Sequence, residues 1–123
     1  MNKVEGVQAV TVMEEPKEVE LIVVVDWTPA RVAQEVRTTF PEAPELAVAV
    51  AKCESGLKPH AQGPTSDYGV MQIHAPSWDK KAKQLGYENY KTDVKDNLAM
   101  ARYIFDGAGG QFTDWVCYTK GMY

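Results

Sequence analysis

Residues 47–78, AVAVAKCESGLKPHAQGPTSDYGVMQIHAPSW, decide how this chain is read. An unbroken apolar segment, AVAVA, ends in the charged pair Lys52 and Glu54. Ser55-Gly56 then stops a helix and Pro59 prevents its resumption. A polar loop rich in Gly and Pro follows, carrying a second carboxylate, Asp67, ahead of the compact string YGVMQIH. A carboxylate at the end of an apolar helix meets both desolvation and the negative pole of the helix dipole, and both favour its protonated form. A second carboxylate on a wetter loop stays ionised. Two carboxyl groups held in unlike environments suit general-acid cleavage of a glycosidic bond. On position alone, Glu54 could equally be a solvent-facing helix end, and Asp67 a turn residue bonding its own backbone.

Outward from this stretch the pattern is helical. Thr28-Pro29 is a hydroxyl N-cap followed by Pro at the first helical position. Val32, Val36 and Phe40 continue at i, i+4 and i+8 until Pro41. The central helix is expected from about Glu45 to Glu54, and LAVAVA marks it as buried. A third helix is expected from Pro76 to Leu85 with Gly86 as its stop. A fourth, capped by Thr92, carries Val94, Leu98, Ala101 and Phe105 on one side and ends at Gly107. The aromatic tail from Phe112 to Tyr123 suits a last helical turn or two. Tyr68 to His74 is too short to classify from periodicity.

Residues 1–27 differ. VQAVTVM and EVELIVVV are β-branched runs separated by the breaker EEPKE, and they read as a hairpin, an added edge strand, or an acidic arm with little structure. This segment holds two Lys against six acids, which accounts for the whole net charge of −4; residues 28–123 hold eleven of each sign. The expected division is an arm over 1–27 and one mainly α domain over 28–123 with at most a small sheet. A chain of 123 residues suits a single core of this kind.

Composition excludes several classes. No basic stripe exists for nucleic acid. No run reaches the roughly 18 apolar residues of a membrane span, the longest aliphatic run near the start being LIVVV. MNKVEGVQAV lacks the apolar block of a secretory signal. The two cysteines, Cys53 and Cys117, and the two histidines, His60 and His74, lack the close ligand pairs of a zinc site, so neither metal nor cofactor is expected. A Cys53–Cys117 disulfide is the preferred reading over two buried thiols and would imply an oxidising compartment. The missing signal conflicts with that unless the chain is cut from a longer secreted protein.

AKCESGLKPHA followed by SDYGVMQIHAPSW resembles the active-site region of chicken-type lysozymes, where a Glu-Ser pair ends a buried helix and Asp-Tyr-Gly leads into Gln-Ile with a Trp beyond. It is equally similar to bacterial lytic transglycosylase domains, whose pattern is Glu-Ser, then Gly-x-Met-Gln-Ile, then an aromatic-Asn-Ala-Gly. KDNLAMARYIF and Tyr118-Thr119-Lys120-Gly121 fit the second family better. The resemblance runs from about Thr28 to Gly121 and implies a lysozyme-like fold. It makes Glu54 the general acid and Asp67 the second carboxylate that lysozymes have and most transglycosylases lack. Ser55, Gln72 and Tyr118 match transglycosylase positions near the acid or along the sugar groove, His74 replaces the lysozyme Asn after Gln-Ile, and Trp78 matches a cleft aromatic. The loop between the carboxylates is shorter than in the lysozymes, Lys58 and Thr119 replace Asn, and the lysozyme disulfide pattern is absent.

The implied activity is cleavage of the β-1,4 bond between the amino sugars of peptidoglycan by a lytic transglycosylase, outside the cytoplasm, as a monomer acting on glycan strands. A hydrolytic muramidase using Glu54 with Asp67 is the close alternative. A non-catalytic glycan-binding or protein-docking module is the rival from another class. Tyr68 and Trp115 join Trp78 and Tyr118 as aromatics able to stack on sugar rings, with a core role preferred for Trp115. Lys80, Lys81 and Lys83 read as a solvated helix face.

Overall fold

The computed structural model describes residues 7–11 and 21–123. Within them the chain is mainly helical, with two small antiparallel sheets. Strands β1 (Val7–Thr11) and β2 (Leu21–Val25) pair antiparallel, Val7 opposite Val25 and Thr11 opposite Leu21. Parts of the two β-branched runs thus pair with each other, as one of the expected arrangements has it; residues 12–20, including the EEPKE breaker, lie outside the described residues.

Helix α1 (Pro29–Thr39) starts as its sequence requires, Thr28 Oγ1 accepting the Arg31 N–H at 3.2 Å with Pro29 in the first turn. Its stripe of Val32, Val36 and Phe40 is wholly buried. Burying each such side chain is worth about 1.5–3 kcal/mol, which outweighs the few tenths that a β-branched Val costs a helix. Helix α2 (Pro44–Ser55) packs against α1 with Ala47, Val50 and Ala51 buried. Leu46 and Val48 are only partly buried, packing at the edge of the core.

The end of α2 is built by three residues. Gly56 takes the left-handed conformation at φ +68, where a Cβ would be strained, and Leu57 follows it at φ +63 with its side chain buried. Ser55 Oγ donates to the Ala51 carbonyl at 3.2 Å and accepts the Leu57 N–H at 3.1 Å. The chain is thus turned sharply just after Glu54.

A minimal hairpin follows, β3 (Asp67–Tyr68) and β4 (Ile73–His74), with Asp67 opposite His74 and Tyr68 opposite Ile73. Helix α3 (Ala75–Leu85) ends at Gly86, φ +85. Helix α4 (Val94–Gly107) is capped by Asp93, whose side chain accepts the Asp96 N–H at 2.8 Å; the cap falls one residue after the expected Thr92, a carboxylate serving as well as a hydroxyl. Val94, Leu98, Ala101 and Phe105 lie on its buried side. The short α5 (Val116–Thr119) closes the described fold.

The core joins α1, α4 and the tail. Phe40, Phe105 and Phe112 meet with ring centroids 4.5–5.1 Å apart, and Trp115 stands edge-on to Phe112 at 5.6 Å. Asn97 is the buried polar residue of α4. It accepts the Met71 N–H at 2.8 Å and donates to the carbonyls of Tyr68 and Tyr90 at 2.9 and 2.8 Å. Trp115 Nε1 donates to the Met71 carbonyl at 2.7 Å. Both polar groups of the Met71 backbone, at the turn between β3 and β4, are therefore held by side chains from α4 and the tail. A hairpin of two residues per strand has little stability alone, and these bonds fix it to the helical core.

Candidate active site

Glu54 sits in the last turn of α2, half-buried, at the wall of a cavity of about 120 Å³. Its Oε2 accepts the backbone N–H of Cys117 at 3.2 Å. Burial pushes the carboxyl above its ordinary value of 4.5; the Cys117 hydrogen bond opposes this in part, and the negative charge of Asp67 adds to it. The disulfide between Cys53 and Cys117, Cα atoms 6.2 Å apart, lies beside this bond, so the residue preceding Glu54 is tied covalently to the residue that hydrogen-bonds it.

Asp67 lines the same cavity from β3. Each of its oxygens has a partner: Oδ1 meets His74 Nδ1 at 3.1 Å across the hairpin, and Oδ2 accepts the hydroxyl of Thr65. Gln72 occupies a left-handed conformation at φ +48 and donates from Nε2 to the carbonyls of Ala61 and Gly69, at 3.2 and 3.1 Å. Gly63 is needed where the loop passes this pair, since a Cβ there would stand 2.5 Å from Gln72 Oε1 and 3.4 Å from Asp67 Oδ2.

Trp78, from α3, lines the cavity together with Trp115 and the start of α5. Trp115 is buried in the core, the role preferred for it, and its remaining surface forms cavity wall. Indole rings beside carboxylates and an amide suit a ring that is apolar on its face and hydroxylated at its rim. Among the described residues no three His, Cys, Asp or Glu side chains gather as a metal site would need.

Of the seven residues singled out from sequence, Glu54, Asp67, Gln72, His74 and Trp78 line one cavity. Ser55 and Tyr118 are not among its lining residues. Ser55 ties down the end of α2, and Tyr118 packs against Phe112 and stacks on Tyr123 with centroids 5.7 Å apart. Asp114 and Val116 also line the cavity, and Thr65 and Asn97 position it; none was expected. Asn97 had a legible sign, a polar residue three positions after Val94 on an apolar stripe. Asp114 and Thr65 had none beyond being polar residues in loops.

The sequence pattern of one family, described as the transglycosylase SLT domain, matches residues 31–121, which is most of the chain and all of the cavity. Neither the curated proteins nor the solved structures compared with it give a significant match. The matched span begins in α1 and ends just after α5, so the helical core, the β3–β4 hairpin and the Glu54 cavity fall together within it. The chain belongs to the transglycosylase SLT domain family, whose members cleave the glycan of peptidoglycan outside the cytoplasm.

Proposed function

We propose that this chain is a lytic transglycosylase cleaving the β-1,4 bond between N-acetylmuramic acid and N-acetylglucosamine, with Glu54 as general acid and then general base. The observation that carries the reading is the setting of Glu54: half-buried at the end of α2, lining a cavity with aromatic walls, its carboxyl raised above the ordinary range. A carboxyl kept protonated to higher pH than usual donates its proton to the glycosidic oxygen as the bond to the anomeric carbon breaks. The carboxylate left behind then takes the proton of the sugar's own 6-hydroxyl as that oxygen closes on the anomeric carbon. An anhydro ring forms, Glu54 is reprotonated and no water is consumed.

The family match supports this order of preference. Asp67 has one partner on each oxygen, which orients the carboxylate beside the cavity and leaves lone pairs on both. In this reading Asp67 is an electrostatic neighbour that adds to the effect of burial on Glu54 and favours positive charge developing on the sugar. Gln72, His74 and Trp78 orient the glycan at the cavity wall. The second reading, retaining hydrolysis with Asp67 as nucleophile or stabiliser, is favoured by the two carboxylates lining one cavity, as the acid and second carboxylate of a lysozyme do.

Mass spectrometry of the soluble products from purified peptidoglycan, with Glu54→Gln as control, separates these readings. Anhydro-ended fragments are expected. Reducing-end fragments would replace the transglycosylase with the hydrolase, and fragments from neither form across a broad pH range would leave a glycan-binding module.

A further inference from the structure

A second cavity, of about 530 Å³, lies beside the first and is lined by Ser66, Tyr68, Asp79, Lys80, Lys83 and Lys91, together with the first two residues of α3. Asp67, Ile73 and His74 line the Glu54 cavity, whereas Ser66, Tyr68 and Ala75 line the second one. Along β3 this is the alternation of a strand, and neighbouring residues of the β3–β4 hairpin so border both cavities, which makes the hairpin a thin partition between the two. Helix α3 continues the partition. Pro76, Asp79, Lys80 and Lys83, spaced i, i+3, i+4 and i+7, give one face to the second cavity, while Trp78 lines the first.

The electrostatics are one-sided. Three ammonium groups meet one carboxylate, and that carboxylate is already engaged: Asp79 accepts the Tyr90 hydroxyl at 3.1 Å and lies 3.7 Å from Lys83 Nζ. Lys91 reaches in from the loop before α4 and rests over the Tyr68 ring at 4.8 Å, which holds its charge at the wall. Lys81, by contrast, lies over Tyr103 at 5.9 Å and is not among the lining residues. The charges of residues 28–123 balance overall; with Lys83 paired to Asp79, Lys80 and Lys91 leave this concavity a local positive excess from two separate elements. Its volume is too large for a single ion and suits a short segment of polymer.

We propose that this cavity is an anion-binding exosite that grips carboxylate or phosphate groups of the wall polymer while the glycan occupies the Glu54 cavity. The proposal rests on the peptidoglycan reading above and extends it to a second contact. Lysine is suited to the task as a strongly hydrated point charge on a flexible stem, able to follow an anion that is not held in one orientation. The source of the anion is either the carboxylates of the peptide stems or the phosphates of an attached anionic polymer.

The test is a binding comparison in the Glu54→Gln background, so that no turnover intervenes. The parent and its Lys80→Gln/Lys83→Gln/Lys91→Gln variant are measured against three materials: stem-bearing peptidoglycan freed of phosphate polymers, glycan strands stripped of stems by an amidase with the lactyl carboxylates so freed then capped as neutral amides, and walls retaining phosphate polymers. The variant is expected to bind stem-bearing material about fivefold more weakly at low salt, with the difference shrinking as salt is raised and with no change on stripped strands. A loss confined to the phosphate-bearing walls supports the exosite with phosphate as the anion. Equal binding of parent and variant to both anionic materials, or an equal loss on stripped strands, overturns it. Lys80→Glu alone repeats the comparison with a single exposed change should the triple variant melt early. Failure of the unmutated chain to release fragments would sink the transglycosylase reading, while this binding comparison, made with inactive protein, would still decide the exosite.

Discussion

Cys117 holds Glu54 twice. Its backbone N–H donates to Glu54 Oε2 at 3.2 Å, and its sulfur is bonded to Cys53, the residue before Glu54. The first contact favours the ionised carboxylate, and the second keeps α5 seated so that Glu54 remains half-buried, which disfavours it. Burial is the larger of the two influences on Glu54. Burial thus outweighs the Cys117 hydrogen bond at the proposed acid, and the cysteine pair ties α5 to the helix that carries it.

Cys53→Ala/Cys117→Ala should lose about 4 kcal/mol of stability in the chain-entropy model, given a sequence separation of 64. It should also shift the pH–activity profile. Loosening α5 removes both the desolvation and the Cys117 bond, and since desolvation dominates, the Glu54 carboxyl falls towards its ordinary value of 4.5. The alkaline limb of activity then moves to lower pH. A limb that stays in place in a folded variant would show that the disulfide acts on stability alone. Two free thiols in unreduced, denatured wild-type protein would refute the bond itself.

Glu54→Gln should lower turnover at least about a hundredfold, the ordinary contribution of a general acid. Its stability should change in the opposite sense. A carboxyl whose pKa is raised on folding contributes stability that is fully present below its unfolded value of 4.5 and lost as pH rises through the folded value. Glutamine carries no such penalty. Urea midpoints of variant and wild type should therefore separate at neutral pH, with the variant higher, and converge on the acid side of 4.5. Parallel midpoints at all pH values would mean that Glu54 is not desolvated.

Much of this was legible in the sequence, for identifiable reasons. Thr28-Pro29 and Gly86 mark helix ends by chemistry that acts locally, and the stripe of Val32, Val36 and Phe40 requires only a helical periodicity. The convergence of Glu54, Asp67, Gln72, His74 and Trp78 on one cavity was readable through the family resemblance that their shared stretch carries. The hairpin from Asp67 to His74 was not, because strands of two residues are too short to show alternation and are held by Asn97 and Trp115 from elsewhere in the chain. Ser55 and Tyr118 were expected near the acid or along the sugar groove through the resemblance alone; the structure places Ser55 beside Glu54 at the helix end and Tyr118 against Phe112 and Tyr123.

Glu42 offers a pH test away from the cavity. Arg102 reaches from α4 to the turn after α1, with both Glu42 oxygens 2.7 Å from its guanidinium nitrogens and the Thr39 carbonyl at 3.0 Å. Hydrogen bonds from Arg102 and then a backbone hydrogen bond hold the Glu42 carboxyl down at about 2, against an ordinary value of 4.5. A carboxyl depressed on folding contributes stability above 4.5 that is lost as pH falls through the folded value. Glu42→Gln should flatten the pH dependence of stability between 4.5 and about 2 and leave glycan cleavage unchanged. An unaltered slope in that window would assign the acid sensitivity to other carboxylates.

Asn97 carries the last prediction, because it couples core to site. Its side chain, only 1% exposed, satisfies backbone groups of three residues, Met71, Tyr68 and Tyr90. Gly69 is shaped to admit it, since a Cβ at that position would collide with Asn97 Nδ2. Asn97→Ala takes the partner from all three groups at once, which should cost about 3 kcal/mol or more, well beyond the loss of one average hydrogen bond. The hairpin bearing Asp67, Gln72 and His74 should then loosen before the helices do. Hydrogen exchange at the Met71 amide should rise by more than that of amides in the middle of α4, and cleavage should fall although no residue touching the cavity has changed. Equal rises at both places would mean that Asn97 supports the whole domain and not the hairpin in particular.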